Sequence, residues 1–249
     1  MNAITQVTQQ TQHMDKELTL VEHLEELRKR IIISLILFAA SSAIAFPLVP
    51  KVLALLKSPS SGLINRLVFF SPSEAFLIHI KIAFFIGLVM SMPFILYQLW
   101  AFVSPAIEDR MKASGLSFLI SSGAAFIVGA AFGYFVLLPT SLRFLLSFSR
   151  DTLEPVISIS SYLSFSMGLI LGSGLVFEMP VLSFLLSKIG VINHRFLRSV
   201  WKYAVIVIFI IAAVVTPTPD AFNMTILAVP MLLLYELSIW VSKFSAKKA

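Results

Sequence analysis

Residues 155–187 read PVISISSYLSFSMGLILGSGLVFEMPVLSFLLS, and Glu178 is the only charged residue among them. A run this long and this apolar predicts a membrane-spanning helix. A carboxylate near the bilayer centre costs roughly 2.5–3.5 kcal/mol, so we expect Glu178 to face protein or a water-filled cavity instead of lipid. Pro180 removes a helical hydrogen bond and predicts a bend beside the carboxylate. Together the two residues predict a polar notch inside a membrane.

The composition of the whole chain is typical of an integral membrane protein. Its 249 residues are 58% hydrophobic and 13% charged, and the mean hydropathy is +0.92. Apolar runs of about 20 residues, enough to cross a hydrocarbon core of about 30 Å, recur along the chain. We therefore predict an all-α protein with one integral membrane domain over residues 1–249. The absence of cysteine excludes structural disulfides and thiolate metal sites.

Six membrane spans are expected from the positions of the apolar windows. The windows cover residues 31–49, 82–99, 115–138, 162–186, 203–215 and 221–240. A helix over the fifth window would reach only about 20 Å, which is shorter than the hydrocarbon core. The sixth window contains Pro230 and Glu236. We therefore expect short fifth and sixth helices that thin the bilayer, lie sheltered in protein or leave a recess beside them.

The chain before the first span divides into two parts. Residues 1–18 are polar and are expected to be a disordered tail, with no removable signal peptide. Residues 19–30 predict an amphipathic helix on which Glu22, Glu26 and Arg30 form one stripe, spaced four residues apart. This pattern is typical of an interfacial helix with internal ion pairs. It would also suit an acidic receptor for a cationic peptide, and the residues alone leave both interpretations open.

The distribution of Lys and Arg predicts the orientation in the membrane. With six spans both ends of the chain lie on one side, and the loops and tails of that side carry 13 of the 19 basic residues. The opposite loops carry five, and Lys81 lies beside the second span. This bias places both termini in the cytoplasm. The net charge of +6 thus indicates contact with anionic lipid head groups, and no basic groove with interleaved aromatics points to nucleic acid.

The loop after the second span reads YQLWAFVSPAIEDR over residues 97–110. Its aromatic residues are typical of a belt at the membrane interface. Phe102, followed by Pro105 and the carboxylates of Glu108 and Asp109, would also offer an apolar surface beside negative charge. Such a surface suits a peptide that carries both arginines and a hydrophobic residue.

Five motifs then occur in an order that is diagnostic of one family. They are His23-Leu24-Glu25-Glu26-Leu27-Arg28-Lys29-Arg30, Pro93-x3-Tyr97-Gln98-x-Trp100-x-Phe102-x2-Pro105, Tyr162-x-Ser164-Phe165, Phe177-Glu178-x-Pro180 and Thr216-x-x-Pro219-Asp220. With these motifs the chain resembles TatC, the multispanning receptor subunit of the twin-arginine protein translocase. The resemblance covers nearly everything beyond the first 18 or so residues.

The resemblance implies a specific architecture and function. It implies six helices in a concave, glove-like arrangement in the cytoplasmic (inner) membrane, with no enzymatic activity and no cofactor. The expected ligands are twin-arginine signal peptides on folded cargo proteins. The expected partners are single-span TatA-type and TatB-type proteins, further copies of the chain and the lipid bilayer, with transport driven by the proton-motive force.

The resemblance also assigns roles to individual residues. Signal-peptide binding falls on Glu26 with its neighbours Glu25 and Arg28, and on Phe102. The family's second signal-binding glutamate falls on Met111, so we expect Glu108 or Asp109 to replace it. The intramembrane functional residues are Glu178 and Pro180. Structural or partner-contact roles fall on Lys81, Pro105, Thr216 and Asp220.

Other classes of protein remain alternatives to the receptor. A proton-coupled secondary transporter would also use a midplane carboxylate such as Glu178 beside a helix break, although no inverted repeat accompanies it. An intramembrane enzyme would need a zinc motif or a nucleophile with its base, and neither is found. His23 with Glu26 is too small a set for a metal site. Small residues at four-residue spacing, from Ser121 to Gly133, predict close helix packing, either within the chain or with a partner helix.

Overall fold

The computed structural model describes residues 20–64, 66–103, 115–148, 156–188, 190–216 and 220–246. The expectations for the tail over residues 1–18 and for Pro105, Glu108 and Asp109 therefore lie outside the described residues. Where the chain is described, it is all-α and polytopic, as the sequence predicts.

Ten α-helices form the described architecture. They are α1 (Leu20–Ala45), α2 (Val49–Lys57), α3 (Pro72–Val103), α4 (Gly115–Phe132), α5 (Leu138–Ser147), α6 (Ile159–Val176), α7 (Met179–Lys188), α8 (His194–Ser199), α9 (Trp201–Val215) and α10 (Ala221–Ala246). Short 3₁₀ turns at Phe46–Leu48 and Ser58–Ser60 flank α2, and a π-helical turn at Gly133–Leu137 joins α4 to α5. Strands β1 (Leu67–Val68) and β2 (Ile157–Ser158) form one short parallel pair.

The apolar helices account for the six expected spans. Five stretches of the described chain are long and apolar enough to cross a membrane, namely Glu22–Ser60, Pro72–Phe102, Gly115–Ser147, Ile159–Lys188 and Ala221–Lys243. Between the last two, α9 is a shorter apolar helix of 15 residues. The short fifth helix is thus confirmed. The expected amphipathic helix and the first span form one continuous helix, α1.

The sixth helix corrects the sequence prediction. We expected it to be short, but α10 runs for 26 residues. Pro230 lies inside the helix without ending it, as is tolerated where neighbouring helices surround a proline in a membrane. Glu236 also lies inside the helix, where its carboxylate pairs with Arg198 of α8. The helix therefore continues past the apolar window into the polar region.

Contacts between helix ends define the two sides of the fold. Arg30 of α1 reaches Gln98 of α3, and the hydroxyl oxygens of Ser187 and Ser242 are 2.7 Å apart at the ends of α7 and α10. We call this the terminal side, because both described chain ends lie on it. On the opposite side Glu74, in the first turn of α3, accepts hydrogen bonds from the backbone N–H groups of Phe70 and Ser160 and from the Ser158 hydroxyl.

Three clusters of buried side chains hold the helices together. The first surrounds Ile82, Leu138 and Leu163 and joins α1, α2, α3, α5 and α6 on the side opposite the chain ends. The second surrounds Ile208, Leu227 and Met231 and joins α9 to α10. The third surrounds Leu96, Phe118, Phe126 and Leu185 and joins α3, α4 and α7. The turn between α6 and α7 lies where the second and third clusters meet, because Phe177 packs against the second cluster and Val181 against the third.

Gly129 of α4 and Gly133 of the π-helical turn that follows it allow α6 to approach closely. A Cβ atom on Gly129 would lie 2.6 Å from the carbonyl oxygen of Ser173, and one on Gly133 would lie 2.2 Å from the Ser173 hydroxyl. Ser173 donates a hydrogen bond of 2.8 Å to the carbonyl oxygen of Gly129. At these two positions the small-residue ridge therefore packs within the chain, which was the first of the two interpretations of the sequence.

This packing predicts different outcomes for two glycine substitutions on one helix. Gly129→Ala is expected to lower the free energy of unfolding by about 1–3 kcal/mol, the usual cost of overpacking, because its nearest obstacles include rigid backbone. Gly123→Ala is the matched control, since the nearest atom to its Cβ would be a Pro93 side-chain carbon at 3.5 Å. Thermal unfolding of both variants in one detergent, followed by circular dichroism, measures the difference. Equal midpoints would contradict the close α4–α6 contact.

Candidate functional site

An acidic cleft opens between α1 and α3 on the terminal side. Its volume is about 620 Å³, and its lining consists of Glu22, Glu25, Glu26, Lys29, Arg30, Ile33 and Gln98. The helical period brings the carboxylates of Glu22 and Glu26 to the same stripe, as the sequence predicts. Glu25 also lines the cleft, whereas Arg28 is exposed and belongs to neither cavity of this helix pair.

One guanidinium group ties the cleft to the neighbouring helix. The Nη2 atom of Arg30 lies 2.9 Å from Oε1 of Glu26, and its Nη1 atom donates to Oε1 of Gln98 at 2.9 Å. The side chains of Arg30 and Glu26 are 28% and 21% exposed. Arg30 therefore holds the Glu26 carboxylate partly buried, against α3 and away from bulk water.

An apolar groove begins where the acidic cleft ends. The groove has a volume of about 400 Å³ and is lined by Leu27, Arg30, Ile31, Ser34, Leu35, Phe38, Leu88, Ile95, Gln98, Leu99 and Phe102. Arg30 and Gln98 belong to both cavities and mark their boundary. From Arg30 to Phe38 the groove follows α1 for about 12 Å toward the membrane interior. A charged cavity thus leads directly into an apolar one.

Phe102 lies at the terminal end of this groove. Its ring stacks on the imidazole of His23, with centroids 4.3 Å apart and an angle of 26° between the planes. The structure therefore brings Phe102 and Glu26 to the same end of one helix pair, although 75 residues of chain separate them in the sequence.

Sequence reasoning gave no role to Gln98 or to the ring of His23. Gln98 lies one helical turn before Phe102, and this spacing places both residues on the groove-facing side of α3. This spacing was the one sequence signal for a role of Gln98. Its partner, Arg30, lies 68 residues earlier in the chain, and a sequence pattern does not show that the two residues are in contact.

Glu178 lies in the turn that separates α6 from α7. The helix stops at Val176 and resumes at Met179, so the expected break beside Pro180 is confirmed. The Glu178 side chain is 1% exposed, and neither of its carboxylate oxygens has a hydrogen-bond partner among the described residues. Its backbone is satisfied, because its N–H donates to Leu175 and its carbonyl accepts from Leu182. As expected, the carboxylate faces protein and not lipid.

The remaining sequence-predicted residues lie away from the cleft. On the side opposite the chain ends, Lys81 contacts the hydroxyl groups of Ser160 and Ser164 at 3.1 and 3.3 Å and so joins α3 to α6. Thr216 is buried at the end of α9, and its hydroxyl donates to the carbonyl of Ala212. Asp220 caps α10 by accepting from the backbone N–H of Asn223 at 2.7 Å. These positions are consistent with structural roles.

Within the described ranges, no group of three or more His, Asp or Glu side chains is arranged to hold a metal ion. The candidate site consists of two joined cavities, one lined by charged residues and one lined by apolar residues. Its carboxylates can pair with cations, and its groove can bury an apolar segment.

Comparison with known proteins places this architecture in a family. Residues 22–230 match the family model described as Sec-independent protein translocase protein (TatC). The TatC protein of Carboxydothermus hydrogenoformans is 41% identical over 234 residues, which cover 94% of this chain and 96% of that protein. The TatC protein of Aquifex aeolicus is 40% identical over 233 residues, which cover 92% and 96% of the two chains.

A solved structure of a TatC protein has the same fold as this chain. The crystal structure of the twin-arginine translocase receptor TatC in the detergent DDM superposes with a TM-score of 0.80 at 40% identity, and the match covers 89% of this chain and all of that one. The family model, the relatives and the fold all agree with the resemblance carried by the five motifs. The chain therefore belongs to the TatC family of Sec-independent protein translocase proteins and is a component of protein transport and not an enzyme.

Proposed function

We propose that this chain binds twin-arginine signal peptides of folded proteins at the terminal side, which faces the cytoplasm from the inner membrane. The observation that carries the proposal is the acidic cleft that leads into the apolar groove at Arg30 and Gln98. A signal peptide with two arginines followed by an apolar segment has the same order of properties. The excess of Lys and Arg in the loops of this side supports its cytoplasmic orientation.

The arginines of the peptide dock on the carboxylates of Glu22, Glu25 and Glu26. Guanidinium and carboxylate groups form charge-assisted, bidentate hydrogen bonds, and an ammonium group cannot reproduce this planar geometry. The apolar segment then lies along the groove between α1 and α3, beginning at Phe102. Glu108 or Asp109, a few residues beyond the end of α3, supplies a further carboxylate in place of the family glutamate that falls on Met111.

In the absence of a peptide, Arg30 occupies the position on Glu26 that an arginine of the peptide would take. In the free receptor it neutralises Glu26, so the partly buried carboxylate is not left without a cation. An incoming guanidinium takes over this contact, while Arg30 keeps its hydrogen bond to Gln98. The exchange costs little, because partly exposed ion pairs of this kind contribute only about 0–1 kcal/mol.

Glu178 serves a later step than peptide docking. It is the one fully buried carboxylate of the described chain, and it lacks a hydrogen-bond partner there. It gains a polar partner when a TatA-type or TatB-type helix, or a deeply inserted signal peptide, reaches the turn between α6 and α7. The proton-motive force drives this assembly, and the short α9 thins the bilayer nearby.

Site-specific photocrosslinking tests the docking geometry. A crosslinker at position 33 or 102 is expected to capture a twin-arginine peptide, because Ile33 lines the cleft and Phe102 lines the groove. A crosslinker at exposed position 44, at the far end of α1, is the control that should capture none. The twin-lysine peptide keeps the charge but loses the planar fork, so its capture should fall to the control level. Equal capture of both peptides would contradict specific docking.

Substitution of Arg30 tests the exchange of cations. Arg30→Gln is expected to tighten binding of the twin-arginine peptide by up to about fivefold, since it removes a competitor worth at most about 1 kcal/mol. Lys29→Gln is the matched control, because it removes a cation from the same cleft without removing a contact to Glu26. Fluorescence anisotropy with a labelled peptide measures both affinities. Weaker binding by Arg30→Gln would show that Arg30 positions Glu26 and does not compete.

Substitution of Glu178 separates docking from transport. Glu178→Gln and Glu178→Ala are expected to lower export of a folded cargo by about tenfold, the effect of one lost charge-assisted hydrogen bond. Peptide affinity at the cleft should stay unchanged, since Glu178 lies in neither cavity. Glu178→Gln should unfold near the temperature of the wild type, because it replaces one buried polar group without a partner by another of the same size, whereas Glu178→Ala also leaves a cavity and should unfold at a lower temperature. Export at the wild-type rate would refute the role.

A further inference from the structure

A second polar cleft on the terminal side lies between α8 and α10. It has a volume of about 320 Å³, and its lining consists of His194, Arg195, Arg198, Glu236, Ile239, Trp240 and Lys243. None of these residues belongs to the acidic cleft, the apolar groove or the turn at Glu178. Neither the translocase role nor the proposed peptide site uses this cleft.

The charge of the cleft is suited to an anion. Three permanent cations, Arg195, Arg198 and Lys243, face one carboxylate, that of Glu236. Arg198 contacts both oxygens of this carboxylate through a single nitrogen, Nη1, at 2.7 and 2.9 Å. Its Nε and Nη2 atoms make no hydrogen bond to any described residue and are available to a second acceptor. The Glu236 carboxylate thus orients the guanidinium without using all of its donors.

The imidazole of His194 also lines the cleft. Its Nδ1 atom is shielded from solvent and has no hydrogen-bond partner within the described residues, so this nitrogen does not face the cavity. Two arginines and one lysine therefore supply the positive charge of the cavity.

The position of the cleft along α10 corresponds to the membrane interface. Ile239 is buried, whereas Trp240 is 56% exposed and its ring lies 5.7 Å from the Nζ atom of Lys243. A tryptophan at the end of an apolar helix, followed within one turn by a lysine, marks the level of the lipid head groups. The cleft thus has an apolar wall on the side of the hydrocarbon core and cations on the side of the water.

We propose that this cleft binds the phosphate group of an anionic phospholipid. Basic pockets between membrane helices are suited to such head groups, and the exposed Trp240 would pack against the glycerol and upper acyl region. A free phosphate ion would satisfy the cations but would make no use of this apolar wall. The lipid would hold α8 at the depth of the head groups, and α8 directly precedes the short α9. The site would therefore fix the depth at which the shortest span enters the bilayer.

Native mass spectrometry of the purified full chain tests the site. The chain is titrated in detergent with phosphatidylglycerol and with phosphatidylcholine of the same acyl chains, and the wild type should retain phosphatidylglycerol preferentially. Arg195→Gln/Lys243→Gln should weaken that retention by about 30-fold, at about fivefold per removed cation. Lys51→Gln/Arg66→Gln is the matched control, because it removes the same two side-chain types from exposed positions outside the cleft and should change retention little.

A substitution that is expected to raise lipid retention controls for loss of structure. Glu236→Gln removes the only carboxylate of the cleft and is expected to raise phosphatidylglycerol retention, an effect that loss of structure would not produce. If circular dichroism shows that the double variant is not folded, the result for Glu236→Gln alone decides whether the cleft binds the lipid. Equal retention of the two lipids by the wild type, equal losses in both double variants, or no gain in Glu236→Gln would each overturn the proposal. So would inorganic phosphate that displaces the lipid at equal concentration, since it would indicate a general anion site.

Discussion

In the hydrocarbon core of a bilayer no water is available to pair with the backbone, so every N–H and C=O group must find its partner inside the protein. This constraint explains why the described spans are helical and why irregular backbone is concentrated near their ends. Among the described residues, the one full interruption within a span, at Phe177 and Glu178, is enclosed by neighbouring helices. There the backbone N–H groups of both residues still donate to carbonyls of α6. The break is thus permitted only because α4, α9 and α10 shield it from lipid.

Polar chemistry accumulates at the ends of the spans, where the constraint no longer applies. The terminal side gathers most of the basic residues, which favours contact with anionic lipid but would repel an arginine-rich ligand. The three glutamates of α1 create a local exception to that positive field. A cationic cleft between α8 and α10 lies on the same side of the fold. Two clefts of opposite charge therefore lie on one face of the protein but on different helix pairs, so the proposed peptide and the proposed lipid would not compete for one site.

Much of this architecture could be predicted from local sequence. Apolar windows predicted six apolar helices and the short length of the fifth, and an apolar run with one carboxylate and Pro180 predicted the break. The stripe of Glu26 and Arg30 was predictable because an ion pair four residues apart depends only on the helical period. The order of motifs then identified the family.

What could not be predicted depended on contacts between distant segments. The hydrogen bond from Arg30 to Gln98 and the stacking of His23 on Phe102 depend on how α1 packs against α3. The sequence of either helix alone does not specify this packing. The length of α10 was underestimated for a different reason. The apolar window ends at Trp240, whereas the helix continues to Ala246 through a polar segment that an apolar window does not include.

The helices around Glu178 are anchored in two different ways. On one side α6 is fixed to α4, because Gly129 and Gly133 bring the backbones together and Ser173 bonds to Gly129. On the other side α7 packs chiefly on α10 and is joined to it through Ser187 and Ser242. The turn at Glu178 connects these two units. Glu178 therefore lies between one helix pair without room for a side chain at its closest approach, α4 with α6, and a second pair, α7 with α10.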